Sequence, residues 1–168
     1  MTSHQQPHYR VTAALIPAYG RLFIAQRPSN KRFGLCWEFP GGKVDPHESL
    51  EQCLQREMRE ELNWEVQVSD LFGQICHQQD DYRIDLFAFW TEILGGSLEL
   101  REHVACEWVA LDRLRSYVFT EADRLLISKL EGLPVLPTFS SNLAGEFQRF
   151  CGDYCPHQSQ PTQHRNTE

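Results

Sequence analysis

Three glutamates carry the first chemical signal in the chain: Glu57, Glu60 and Glu61. On a helix they are related by three, four and one residues, so all three project within about one 100° sector. Like charges on one flank repel by a few tenths of a kcal/mol per exposed pair. A purely structural helix would gain from a lysine among them. Mg²⁺ and Mn²⁺ prefer oxygen ligands and sit between carboxylates and substrate phosphates, so the cluster reads as a divalent-metal site. The alternative is a solvated acidic face. Arg56 lies four residues before Glu60, placed to brace that carboxylate rather than to bind substrate. Gly41-Gly42, after Pro40, lets the backbone turn closely and bring a carbonyl or amide up to a metal or phosphate.

These residues need a scaffold, and the sequence supplies one. Leu50, Leu54, Met58 and Leu62 recur every four residues, predicting an amphipathic helix over 48–62. Ahead of it, the apolar runs 10–17 and 21–27 read as strands joined by a turn at Ala18-Tyr19-Gly20, followed by a Gly- and Pro-punctuated loop over 28–46. Beyond it, 65–77 and 82–94 alternate as strands, with Gly95-Gly96 marking a turn after the second. His77, with Gln78, Gln79, Asp80 and Asp81, is expected in a polar hairpin loop. A short strand over 104–111 and a second helix over 120–130, ended by Gly132 and Pro134, complete the pattern. The order predicts an α/β (α+β) fold with a mixed sheet between helices. From about Thr138 the composition turns polar, and a mobile tail is expected.

With 168 residues, a net charge of −7 and 41% hydrophobic residues, the chain suits one globular domain. The acidic balance argues against a nucleic-acid polymer as partner, because non-specific binding to phosphate backbones depends on Lys and Arg. Only Lys31, Lys43 and Lys129 of the 16 basic residues are lysines. Arginine, the bidentate phosphate binder, dominates. No apolar run reaches the ~18–20 residues that span a bilayer, and the first residues lack a signal-peptide pattern. A cytoplasmic protein with reduced cysteines and no membrane partner is expected. Cys151, Cys155 and His157 invite a zinc reading but have no clear fourth ligand, and none is proposed.

The stretch from Trp37 to Trp64, WEFPGGKVDPHESLEQCLQREMREELNW, resembles the Nudix box, G-x(5)-E-x(7)-R-E-U-x-E-E-x-G-U, where U is bulky and apolar. Gly42, Glu48, Arg56, Glu57, Met58, Glu60, Glu61 and Trp64 fall on it. Asn63 stands where the pattern has glycine, and asparagine is the residue best able to replace it in a left-handed helix terminus. The resemblance covers residues 8–132, with 133–168 as a C-terminal extension. LFIAQRP, WEFPGGK and EWVAL make it closest to the MutT-like branch.

This resemblance implies a Nudix α/β/α sandwich, Mg²⁺ dependence with Mn²⁺ as an alternative, and a small nucleotide substrate. The implied reaction converts (deoxy)nucleoside triphosphates to monophosphate and pyrophosphate, with removal of oxidised nucleotides such as 8-oxo-dGTP as the branch's known task. The metal would be held by Glu57, Glu60, Glu61, the Gly41 carbonyl and Glu107, with Glu107 either ligand or base for water. Glu60, Glu107 and Arg56 form the implied catalytic set. Arg27, Arg32, Glu38, Phe39, Pro40, Gly41 and Asp123 would contact substrate, Asp123 at the base, while Lys43 either assists with phosphates or is solvated. A monomer or homodimer is expected. Other substrates (ADP-ribose, a nucleotide sugar, a dinucleoside polyphosphate) form one alternative. A non-catalytic nucleotide-recognition module is another, and its expected mark, erosion of the carboxylates, is missing here.

Overall fold

Residues 11–16 are apolar without alternation beyond Thr12, the pattern of a strand buried on both faces. The computed structural model, which describes residues 6–79 and 81–139, shows why. Strand β1 (His8–Leu15) pairs in parallel with β6 (Arg83–Gly96), and β6 pairs antiparallel with β5 (Trp64–Gln78). Ala13 and Leu15 face one apolar cluster together with Leu126, Ile127 and Leu130. Ala14 and Ile16 face a second, with Leu54, Met58 and Leu62. The two helices that supply those leucines, α1 (Leu50–Leu62) and α2 (Glu121–Leu130), therefore cover opposite faces of the mixed sheet.

After Ile16 the chain leaves this sheet for another. The short β2 (Pro17–Ala18) turns into β3 (Arg21–Gln26) through Tyr19 and Gly20, whose φ values of 50° and 75° give the left-handed pair a two-residue hairpin requires. Along one edge β3 pairs with β2 and then with β4 (Trp37–Glu38); along the other it pairs with β7 (Ala105–Ala110). Sequence periodicity showed β3 and β7 but not the division between two sheets, and β4 lies within the stretch 28–46 that was expected to be loop, a two-residue strand being too short to show a period. A six-residue 3₁₀ helix, Leu111–Ser116, leads from β7 towards α2.

Gly95 and Gly96 form no turn, contrary to the sequence expectation. They end β6 paired with Glu65 and Trp64. A Cβ on Gly96 would lie 2.1 Å from the Asn63 carbonyl oxygen, so glycine is there for close backbone approach. Helix α1 starts in a capping box, with Ser49 and Gln52 exchanging side-chain and backbone hydrogen bonds, and ends at Asn63 in the left-handed region, as its sequence pattern requires. The segment 97–104 then folds over the helix end. Backbone amides of Glu99 and Arg101 donate to the Leu62 and Glu61 carbonyls, and Arg101 Nη1 reaches the Arg59 carbonyl. The Glu61 and Leu62 carbonyls, left without an intrahelical partner at the helix end, are thereby satisfied, while that of Arg59 also accepts from the Asn63 amide.

Leu136 is buried in the first core cluster and Leu133 packs against it. Cys151, Cys155 and His157 lie outside the described residues, as does Asp80. No helix among the described residues is long and apolar enough to cross a membrane.

Candidate active site

The acidic helix reaches its neighbours through the glycine loop. Residues 40–44 run antiparallel along β1, with Ala14 N donating to the Pro40 carbonyl, Thr12 N to Gly42 and Val44 N to Arg10. Gly41 has φ 153°, and a Cβ there would lie 2.2 Å from the Thr12 carbonyl oxygen. A Cβ on Gly42 would lie 2.1 Å from Glu57 Oε1. Both glycines are demanded by contact, the second by the carboxylate itself.

Arg56 organises the helix flank. Its guanidinium donates to Glu48 (Nη2 to Oε1, 2.8 Å; Nε to Oε2, 3.1 Å), to Glu57 Oε1 (2.9 Å) and to Glu60 Oε2 (3.0 Å). The brace expected for Glu60 is present and extends to two more carboxylates. Arg56 and the Asp45 amide together hold the Glu48 carboxyl down at about 2. Glu57, in contrast, is raised above the ordinary carboxylate range, because burial outweighs its arginine partner. Glu60 points outward, its side chain 57% exposed.

Glu61 is the extreme member. Burial, reinforced by the charges of Glu38, Glu57 and Glu102, pushes its carboxyl up to about 9, and its Oε2 has no hydrogen-bond partner. It opens on a cleft of about 30 Å³ lined also by Glu38, Glu102, His103, Arg27 and Lys31. Among the described residues no three acidic, histidine or cysteine groups converge at ligand distance on one point. The donor set nonetheless fits a hard divalent cation: all-oxygen ligands, an orphaned buried carboxylate oxygen, and four acids whose mutual repulsion a cation would relieve.

Glu107 stands apart from this cluster. It is exposed on β7 opposite Ile24, and its carboxylate accepts from the Tyr117 hydroxyl. The structure instead brings Glu102 beside Glu61, five residues earlier than the acid expected from the EWVAL resemblance. The capping of α1 by segment 97–104 puts it there, a tertiary contact that no spacing in the sequence encodes.

Beyond the cleft lies a cavity of about 480 Å³. Arg27, Arg32, Glu38, Phe39, Gly41, Lys43 and Asp123 all line it; Pro40 does not, its carbonyl being taken by β1. Arg27 is tied to Glu38 at 2.6 Å, and the other Glu38 oxygen takes His103 Nε2 at 2.9 Å. Arg32 stacks over the Tyr82 ring, 4.3 Å from its centroid, and Lys43 over Tyr9 at 3.9 Å. A bridge from Trp37 to Phe119 draws the start of α2 against β4. There Asp123 accepts from the Thr120 hydroxyl at 2.6 Å, and burial pushes its carboxyl up to about 7.

His77 does not lie in the hairpin loop expected for it. It lies inside β5 paired with Ile84, buried, and lines the cavity. The strand runs one residue past it, so the polar run after it begins the loop while His77 itself still alternates inward.

A mixed sheet between two helices, with a glutamate-rich helix packed on a glycine loop beside a nucleotide-sized cavity, defines a Nudix hydrolase. The chain belongs to that family: the NUDIX domain pattern matches residues 6–130. It is similar to the CTP pyrophosphohydrolase of Escherichia coli, 35% identical over 123 residues, spanning 73% of this chain and 91% of that protein. It is also similar to the 8-oxo-dGTP diphosphatase of E. coli, 31% identical over 112 residues, 67% of this chain and 87% of the other. Among solved structures, the MutT protein of Methanosarcina mazei superposes with a TM-score of 0.68 at 25% identity, covering 77% of this chain and 96% of that one. Nudix hydrolases act on small nucleotide substrates and use a divalent metal, consistent with the acids gathered here.

Proposed function

We propose that this protein hydrolyses (deoxy)nucleoside triphosphates to monophosphate and pyrophosphate in a Mg²⁺-dependent reaction, with Mn²⁺ as an alternative ion, and that it serves nucleotide-pool sanitation of the 8-oxo-dGTP kind. The observation that carries this reading is Glu61: a buried carboxylate with an unpartnered oxygen, facing the charges of three other acids, on a small cleft that shares Arg27, Lys31, Glu38 and Glu102 with a cavity large enough for a nucleoside. The unit responsible is assigned to residues 8–132, with 133–168 as an extension.

Glu57, Glu61, Glu60 and the Gly41 carbonyl would hold the cation, with Glu102 in the place first expected for Glu107. A bound divalent ion supplies charge neutralisation at the phosphoryl oxygens and lowers the pKa of an attacking water. Arg56 fixes the rotamers of Glu57 and Glu60, so that their lone pairs are oriented before substrate arrives. Arg27, held by Glu38, and Lys43, on Tyr9, place cationic groups on the cavity rim where a polyphosphate would lie. Asp123 lines the same cavity, where it could accept from a base.

The test is pyrophosphate release with Mg²⁺ over dNTPs, 8-oxo-dGTP, CTP, 5-methyl-dCTP, ADP-ribose and diadenosine polyphosphates, compared as kcat/KM. A nucleoside triphosphate at the top is the expected result, 8-oxo-dGTP foremost for the sanitation role. ADP-ribose or a dinucleotide at the top would overturn the triphosphate assignment. Silence of the folded, metal-loaded protein would favour a recognition module.

A further inference from the structure

The cavity wall holds a buried polar group without a hydrogen-bond partner. His77 has only 10% of its side chain exposed, and its Nε2 is buried without a hydrogen-bond partner. Glu121 Oε2 lies 3.7 Å from that nitrogen, just outside bonding distance. Glu121 opens α2, two residues before Asp123, and its side chain is 53% exposed and free to swing. All three residues line the cavity. A buried imidazole facing a carboxylate across a gap too long for a hydrogen bond costs stability in this state. Closing the gap requires only rotation of a half-exposed glutamate.

Asp123 is fixed by Thr120, so the wall already has one set acceptor. A carboxylate drawn in beside it would be a second. Ionised carboxylates only accept hydrogen bonds, and Asp123, raised to about 7 by its burial, is in that state at pH 8.5, where the binding comparison is made. Cytosine, adenine and guanine carry an exocyclic amino group with two hydrogens to give, whereas uracil and thymine flank their single ring N–H with two carbonyls that a pair of carboxylates repels. A site built to bond a polar group discriminates strongly against the analogue lacking it, because the site's own buried groups then go unpaired.

We propose that His77 is a positioning residue for base selection: by donating from Nε2 it holds the Glu121 carboxylate against the cavity wall beside Asp123, so the pocket takes amino-bearing nucleobases and rejects uracil and thymine. This rests on the reading of the cavity as a nucleotide site, but not on hydrolysis.

The test is therefore a binding one. Calorimetric affinities of the full chain at pH 8.5 for dCMP and dGMP are compared with those for dUMP and dTMP, in wild type, His77→Leu, His77→Gln and Glu121→Gln. In wild type the amino-bearing nucleotides bind about tenfold or more tighter, the discrimination of one hydrogen bond to a charged group. His77→Leu and Glu121→Gln each reduce that ratio about tenfold, while His77→Gln, which keeps an N–H donor, retains most of it. A wild-type ratio near one overturns the proposal. So does an unchanged ratio in the Leu and Glu121→Gln variants, or a proportional loss for all four nucleotides, the mark of a merely structural histidine. Should His77→Leu fail to fold, Glu121→Gln, at an exposed position, decides alone. The expected ratios in a protein that releases no pyrophosphate would sink the hydrolytic reading and leave base selection standing. Triphosphate turnover without an amino preference would do the reverse.

Discussion

Replacing Glu61 by glutamine should stabilise the metal-free protein while destroying its use for metal. The carboxyl ordinarily titrates at 4.5 and is pushed up to about 9 by burial and by Glu38, Glu57 and Glu102. Between those values the folded state binds a proton that the unfolded state releases, so stability falls as pH rises through the window. At pH 7.5 the penalty spans three pH units at about 1.4 kcal/mol each, a ceiling of about 4 kcal/mol. The amide avoids it, at a cost of about 1–3 kcal/mol for burying a neutral polar group, partly offset because its NH₂ faces carboxylates. A net gain of about 1–3 kcal/mol is expected, a rise in Tm on the order of 5–10 °C. The assay is thermal and urea unfolding in EDTA at pH 7.5 and pH 5. At pH 5 the penalty falls below about 1 kcal/mol while the cost of the buried amide remains, so the variant loses its advantage over wild type. With Mg²⁺ at 100 times its Kd the wild type gains about 2.7 kcal/mol that the variant lacks, and binding releases a proton only in the wild type. A Glu61→Gln protein no more stable than wild type at pH 7.5 in EDTA would refute the reasoning.

Glu60→Gln should fold normally, because Glu60 is exposed, yet lose about 100-fold or more in turnover; wild-type turnover would remove it from the site. Glu102→Gln should cost at least tenfold in kcat by pyrophosphate release, against less than twofold for Glu107→Gln, and the opposite ranking would restore the acid first expected from the EWVAL segment. Gly42→Ala forces the flexible end of Glu57 aside rather than the backbone, so its melting curve should stay near wild type while activity collapses. For Glu48, held at about 2 against an ordinary 4.5, the sign is opposite to that of Glu61. Its contribution is complete above 4.5 and lost as pH falls through about 2, so an acid titration of Glu48→Gln should show a shallower transition than wild type.

How far the sequence reached can be told residue by residue. The Glu57–Glu60–Glu61 flank, its Arg56 brace and the left-handed Asn63 are local, set by helical geometry within one turn or two, and all were legible. Asp123 and Arg27 were placed in the cavity by motif alone. Glu102 was missed because its position depends on segment 97–104 capping a helix some 40 residues earlier in the chain, a contact with no local signature. His77 was misread because a polar run following it resembles a loop, while inward alternation in β5 outlasted the apolar residues by one position. Gly95-Gly96 reads as a turn by composition, and only proximity to the Asn63 carbonyl explains it otherwise.

The capping of α1 by segment 97–104 also decides how the mouth of this protein can deform. Because backbone amides of Glu99 and Arg101 are fastened to the last carbonyls of the helix, Glu102, His103, Glu57 and Glu61 travel as one stiff jaw. The facing stretch 27–36 contains two non-glycine residues in left-handed backbone, Phe33 and Leu35 at φ 57° and 64°; its backbone is closed by Arg27 N donating to the Cys36 carbonyl and Leu35 N to the Arg27 carbonyl, and Lys31 bonds Glu102, whereas the exposed Arg32 guanidinium is stacked on Tyr82. Bulkier guests gain their room there, by sliding Arg32 off Tyr82, and chemistry grown towards that side will be tolerated where the same atoms added towards Glu61 will not.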